Sequence, residues 1–216
     1  QIVIPETPSS SFSIDKGMAT FSVSPKVIDR LAGVKIYYSY DPNSRTRFWH
    51  NAVAKKSKNT WTTAIPVYPQ LPLYVFGHCS YNLDHEMTLQ VGNSKTFSIN
   101  SKEAIHEPKN IDLKELSKLA KNGLIEDFSN GTADWASRNG DSITTYKMQS
   151  PMIDRSNDKV LAFTIDPEGR DHTLRLRLGS SFLSRENNIG TFTYHTKVTG
   201  KGPQQVLINR KDFKGE

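Results

Sequence analysis

The stretch VKIYYSYDPNSRTRFWHNA, Val34–Ala52, places Tyr37, Tyr38, Tyr40, Phe48 and Trp49 on either side of a short polar turn. Its first half alternates: Val34, Ile36, Tyr38 and Tyr40 fall on one face, Lys35, Tyr37 and Ser39 on the other. A period of two is that of a strand, and aromatic and β-branched residues suit a pleated, half-buried surface. DPNSRTR then supplies turn chemistry, with Asp, Pro and Asn ahead of two arginines. The stretch predicts a hairpin with Tyr38, Tyr40 and Trp49 in a core, and with Arg45 and Arg47 carried into solvent.

The same pattern continues on both sides of the hairpin. From Phe12 to Ile99, short alternating runs such as ATFSVS, TWTTAIPV, LYVFGHCSY and KTFSIN are punctuated by Gly, Pro, Asn and Asp. This is how an antiparallel sandwich reads. The composition changes at SKEAIHEPKNIDLKELSKLAKNG, where Leu113, Leu116 and Leu119 recur at helical spacing. Asp112 and Glu115 stand at capping-box spacing, and Gly123 is a natural stop. Beyond it the alternation returns, most cleanly in HTLRLRLG, His172–Gly179, where Leu174, Leu176 and Leu178 oppose Arg175 and Arg177. The expected fold is therefore all-β: a sandwich over residues 1–105, a linker with a helix from Asp112 to Asn122 over 106–123, and a second sandwich over 124–216. The first reads as immunoglobulin- or fibronectin-like. The second ends at DFKGE without the closing strands of a jelly roll of about eight strands, so a longer natural chain is expected.

Composition narrows the function classes. With 28 basic and 22 acidic residues the chain carries +6, spread evenly along its length. No Lys/Arg run makes the concentrated footprint of a nucleic-acid binder. There is no apolar run of about 18 residues, so no membrane span is expected. Cys79 is the single cysteine, which excludes an intrachain disulfide and a thiolate metal cluster. Gln1 followed by IVIPETPSSS reads as a cleaved edge, either a mature terminus after export or a cut in a longer chain.

Catalytic signals are absent. A hydrolase nucleophile needs a strained Gly-x-Ser-x-Gly elbow, and none occurs; LGSSFLS, Leu178–Ser184, reads as a loop. The six histidines include no His-Glu-x-x-His and no i, i+4 pair on the expected helix. The DHE cluster, Asp84–Glu86, and the DPEGRDH stretch, Asp166–His172, read as polar turns.

KIYYSYDPNSRTRFWHNAV together with NTWTTAIPVYPQLPLYVFGHCSYNLD resembles the β-sandwich that follows the catalytic domain in secreted bacterial α/β-hydrolases of the acetyl-xylan-esterase and prolyl-peptidase kind. LIEDFSNGTADWAS, VLAFTIDPEGRDHTLRLRLG and VLINRKDFKGE resemble a galactose-binding-like, carbohydrate-binding jelly roll. The resemblance implies a non-catalytic accessory region of a secreted, periplasmic or cell-surface hydrolase, with polysaccharide as a partner and a catalytic domain elsewhere in the natural chain. It also implies a structural calcium ion, for which Glu126, Asp127 and Asp212 are the oxygen donors.

Sugar recognition stacks a ring on the apolar sugar face and hydrogen-bonds the hydroxyls with planar side chains. Trp135, Tyr146, Arg175, Arg177, His195 and Gln205 are the candidates. Two readings stay open: a polysaccharide-binding face, or a structural module in which Trp135 is core and the arginines line a solvated or protein-covered strand.

Overall fold

The computed structural model describes residues 4–44, 47–90, 92–112, 124–129, 131–132, 137–150, 152–153, 159–179 and 190–215. The chain is all β, as the alternation predicts; among the described residues the helical pieces are two 3-10 turns, Lys147–Gln149 and Arg210–Asp212. The helix expected over 112–122 lies outside the described residues except for Asp112, whose N–H donates to the Gln70 carbonyl at 3.0 Å. Two compact units divide at Ile153, whereas the sequence division falls at 105 and 124.

The first nine strands of the first unit are β1 (Ser9–Asp15), β2 (Met18–Ser24), β3 (Leu31–Ser39), β4 (His50–Ala52), β5 (Lys55–Ser57), β6 (Thr60–Pro66), β7 (Leu73–Leu89), β8 (Gly92–Asn100) and β9 (Ala104–His106). They form two antiparallel sheets, ordered β1-β2-β6-β5 and β4-β3-β7-β8, with β9 pairing on β7. This is the order of an immunoglobulin-type sandwich, strands A, B, E and D facing C, F and G, with a C′ strand added. A tight turn joins β1 to β2 because Lys16 and Gly17 both take positive φ, 49° and 76°. A short hairpin, β10 (Ser137–Asn139) with β11 (Ser142–Thr144), also belongs to this unit.

Its core comes from the inward positions of the central strands: Ala19, Phe21 and Val23 from β2, Ile36 from β3, Ile65 from β6, and Leu73, Val75, Cys79 and Tyr81 from β7. Tyr40 joins them and donates its hydroxyl to the Pro66 carbonyl at 2.6 Å. Burial pushes the Cys79 thiol up to about 11, so it stays protonated. The sheets approach most closely at Gly77, where an added Cβ would lie 2.5–2.9 Å from three Val23 side-chain carbons. Ser101 holds the backbone there: the Gly77 N–H donates to its Oγ at 2.9 Å, and its own N–H donates to the Gly77 carbonyl at 2.8 Å.

Residues past the ladder also rest on this sandwich. His50 stacks on Tyr38 at 5.1 Å and meets the Phe48 edge at 4.9 Å. Its Nε2 lies 3.4 Å from the Ser150 hydroxyl, and Met152 packs on the core. Burial lowers the His50 pKa to about 4.

In the second unit β12 (Val160–Ile165) pairs with β15 (Gln204–Asn209), while β13 (His172–Gly179), β14 (Thr191–Val198) and β16 (Lys214–Gly215) form a three-stranded sheet. The Asp166–Gly169 turn has Glu168 and Gly169 at positive φ. Its Asp166 Oδ1 accepts from the N–H groups of Glu168 and Gly202, and Gly169 N–H donates to the Gly200 carbonyl, so two strand connections are fastened together.

Two outcomes follow for the first unit. Gly77→Ala should cost about 1–3 kcal/mol in denaturant unfolding, because Val23 is β-branched and even its Cβ stands in the way. An unchanged midpoint would show that the sheets can part at no cost. His50 is protonated in the unfolded chain below about 6.5 but in the folded chain only below about 4, so stability should fall as pH drops through that window and level off beneath it. The loss should approach roughly 3 kcal/mol and should largely vanish in His50→Phe.

Candidate functional site

The leucine-arginine strand reads as expected once its neighbours are in place. Along β13 the leucines are half-buried while Arg175 and Arg177 are exposed. Antiparallel partners that lie opposite each other share a face. The register sets Arg175 opposite His195, Arg177 opposite Thr193, and Thr173 opposite Lys197. Thr193 is in turn opposite Lys214 on β16. One face of this sheet therefore carries Arg175, Arg177, His195, Lys197 and Lys214, all exposed, around a buried Thr193. The opposite face carries Leu174, Leu176, Leu178, Phe192 and Tyr194, and Tyr194 meets Phe213 at 6.0 Å.

Of the six residues the sequence nominates for sugar binding, three meet on this face: Arg175, Arg177 and His195. Gln205 is exposed on β15 opposite Thr164, in the other sheet of the unit. Tyr146 is exposed and precedes the Lys147–Gln149 turn in the first unit. Trp135 lies outside the described residues. Lys197 and Lys214 escaped sequence reasoning. Lys197 was legible in TFTYHTKV, where Thr193, His195 and Lys197 alternate with Phe192, Tyr194 and Val198. Lys214 had no such signal, because its place depends on pairing with β14.

The three carboxylates nominated for calcium have other partners. Glu126 is ion-paired with Lys147, and its Oε1 accepts from the N–H groups of Asp127 and Phe128. Asp127 accepts from the Ser129 N–H at 2.9 Å, which holds its carboxyl below the usual range. Asp212 caps its 3-10 turn by accepting from Asn209 N–H at 2.7 Å. Among the described residues no group of three His, Cys, Asp or Glu side chains is gathered for a metal.

The Val34–Ala52 hairpin differs from expectation in two residues. Tyr40 is core and Tyr38 packs against it, but Trp49 stands outside the core, edge-on to Phe76 at 4.8 Å. Tyr37 joins Phe76 at 5.6 Å and His78 at 5.8 Å, so the outer face of β3-β7 is aromatic. Arg47 is not carried into solvent. Its guanidinium lies 3.5 Å over the Tyr74 ring and pairs with Glu103 at 3.0 Å, while Nε donates to the Asp41 carbonyl at 2.8 Å. Its side chain is only 10% exposed. A cation can be covered in this way because ring, carboxylate and carbonyl each offer it negative charge. A cleft of about 280 Å³ beside Tyr38, Asn51, Thr63 and Pro66 holds no acidic or basic side chain.

No protein-family model matches the chain, and no curated protein does. Among solved structures it is similar to Astrotactin-2, described as a conserved vertebrate-specific and perforin-like membrane protein involved in neuronal development, at 7% identity and a TM-score of 0.29. The match covers 93% of this chain and 46% of that one, so the chain spans less than half its length. Among the described residues no helix is long and apolar enough to cross a membrane.

Because Arg47 has three partners, Arg47→Ala should destabilise the first unit by about 1–3 kcal/mol, leaving Glu103 and the Asp41 carbonyl unpaired. Trp49→Ala should cost about 1–2 kcal/mol, the scale of an aromatic pair with partial burial, rather than the 3–5 of a core aromatic. Urea unfolding of both variants checks these values; a loss of about 3 kcal/mol or more at Trp49 would place the indole in the core after all.

Proposed function

We propose that the chain is a non-catalytic accessory module that binds polysaccharide through the exposed β13-β14-β16 face of its second unit, alongside a catalytic domain carried elsewhere. The observation that supports this most is the cross-strand pair Arg175–His195 with Arg177 two residues on. Planar hydrogen-bonding groups about 5 Å apart across strands and roughly 7 Å along them can address successive sugar residues. A sheet sets such groups in regular rows, which suits an extended polymer better than a small molecule. Such a role goes with a secreted, periplasmic or cell-surface location.

The second reading is a bracing or protein-interaction module. What favours it is the half-exposed aromatic face of Tyr37, Trp49, Phe76 and His78 in the first unit.

Affinity electrophoresis through gels containing polysaccharide separates the two. Retardation of the parent chain should be lost in Arg175→Ala and Arg177→Ala while their melting temperatures stay close to the parent's, because exposed positions contribute little to stability. Leu176→Ala should retain binding but lose about 1–2 kcal/mol, less than a full core truncation because Leu176 is half-buried. Unchanged retardation in both arginine variants would leave the bracing role as the better account.

A further inference from the structure

We infer that the polymer this face takes is an acidic polysaccharide, one bearing carboxylate or sulfate groups; the inference rests on the polysaccharide-binding role proposed above. The strand positions of the face hold four basic side chains, Arg175, Arg177, Lys197 and Lys214, and the imidazole of His195. No Asp or Glu occupies any position of β13, β14 or β16. In sequence, Asp166, Glu168 and Asp171 lie between β12 and β13, Glu186 between β13 and β14, and Asp212 and Glu216 on either side of β16, all off the strand positions themselves. Residues 154–216 together hold eleven Lys and Arg against eight Asp and Glu, so the excess is small and its placement on one face is what counts.

The register arranges the cations in three rows across the sheet. Lys197 is in the first, Arg175 and His195 in the second, Arg177 and Lys214 in the third. Rows two residues apart lie roughly 7 Å from each other, so the stripe runs about 14 Å along the strands. A chain with repeating negative groups can meet a cation in every row. The two guanidiniums match carboxylate or sulfate oxygens in a bidentate fork, and the two ammonium groups act as point charges.

What the face lacks points the same way. Neutral sugars are held largely by stacking on rings, yet Phe192 and Tyr194 fall on the opposite face, and among the described residues the strand positions of the basic face hold no Phe, Tyr or Trp. Single-stranded nucleic acid, the other common polyanion, also depends on aromatic stacking, which this face does not offer. Charge therefore remains as the main attraction, and an exposed charge is screened by salt.

The test uses the full 216-residue chain in affinity electrophoresis and calorimetry with polygalacturonate, dextran sulfate, neutral dextran and single-stranded DNA. Binding to polygalacturonate or dextran sulfate should weaken at least tenfold between about 0.05 and 0.5 M NaCl. It should weaken at least tenfold in R175Q/R177Q, and also in K197Q/K214Q, which keeps the inference testable if one pair of changes impairs folding. The stronger of the two acidic polymers tells carboxylate from sulfate. Salt-insensitive binding to dextran alone, lost in R175Q/R177Q, would overturn the acidic ligand and keep the polysaccharide-binding role. Binding to none of the glycans would overturn both. Tighter binding to DNA than to either acidic glycan, or acidic-glycan binding unchanged in both double variants, would also overturn the inference.

Discussion

At Gly77 the two sheets of the first unit come closer than a side chain allows. The Val23 methyls occupy the space where a Cβ would sit, so β7 can lie against β2 only with a hydrogen at this position. The contact has consequences on both sides of the strand. Inward, Val75 and Cys79 join Phe21 and Val23 in one buried cluster. Outward, the same strand presents Phe76 and His78 beside Tyr37. Ser101 bonds both backbone groups of Gly77, which lets β8 end and β9 begin along one edge of β7.

Arg47 shows how the hairpin gains definition without a core position. Its guanidinium roofs Tyr74, itself opposite Ser39 on β3, and ties the loop after β3 to Glu103 just before β9. Each partner is weak in water, but together they form a small network at reduced exposure, where charge-assisted bonds and cation–π contact count for more. Trp49 gains its place from the same arrangement, with Arg47 at 5.3 Å and the Phe76 ring edge-on at 4.8 Å.

The basic face of the second unit arises from a simpler constraint. A strand that must bury every second residue exposes the rest, and two such strands paired in register stack their exposed residues in rows. β13 contributes arginines, β14 contributes His195 and Lys197, and β16 adds Lys214. The arrangement concentrates charge although the unit as a whole is only modestly basic. The same alternation puts Phe192 and Tyr194 on the opposite face.

Alternation and turn chemistry, both local, made the all-β class, the inward side of β3 and the leucine side of β13 legible in the sequence. Val34, Ile36 and Tyr38 face the core as their spacing requires, and the Asp166–Gly169 turn takes positive φ where its glycine allows it. The exposure of Arg175 and Arg177 belongs to this group, since a half-buried strand has only two sides. Tertiary structure alone decided the rest. Whether Trp49 lies inside or outside depended on where β4 meets β3, and Arg47 was covered because Tyr74 and Glu103, distant in sequence, arrive beneath and beside it. Lys214 joins Arg177 across Thr193 by the pairing of a two-residue strand that no periodicity announces. Local pattern sets which way a side chain points, whereas its neighbours depend on cross-strand register and on sheets meeting through a single glycine, and those are contacts between residues far apart along the chain.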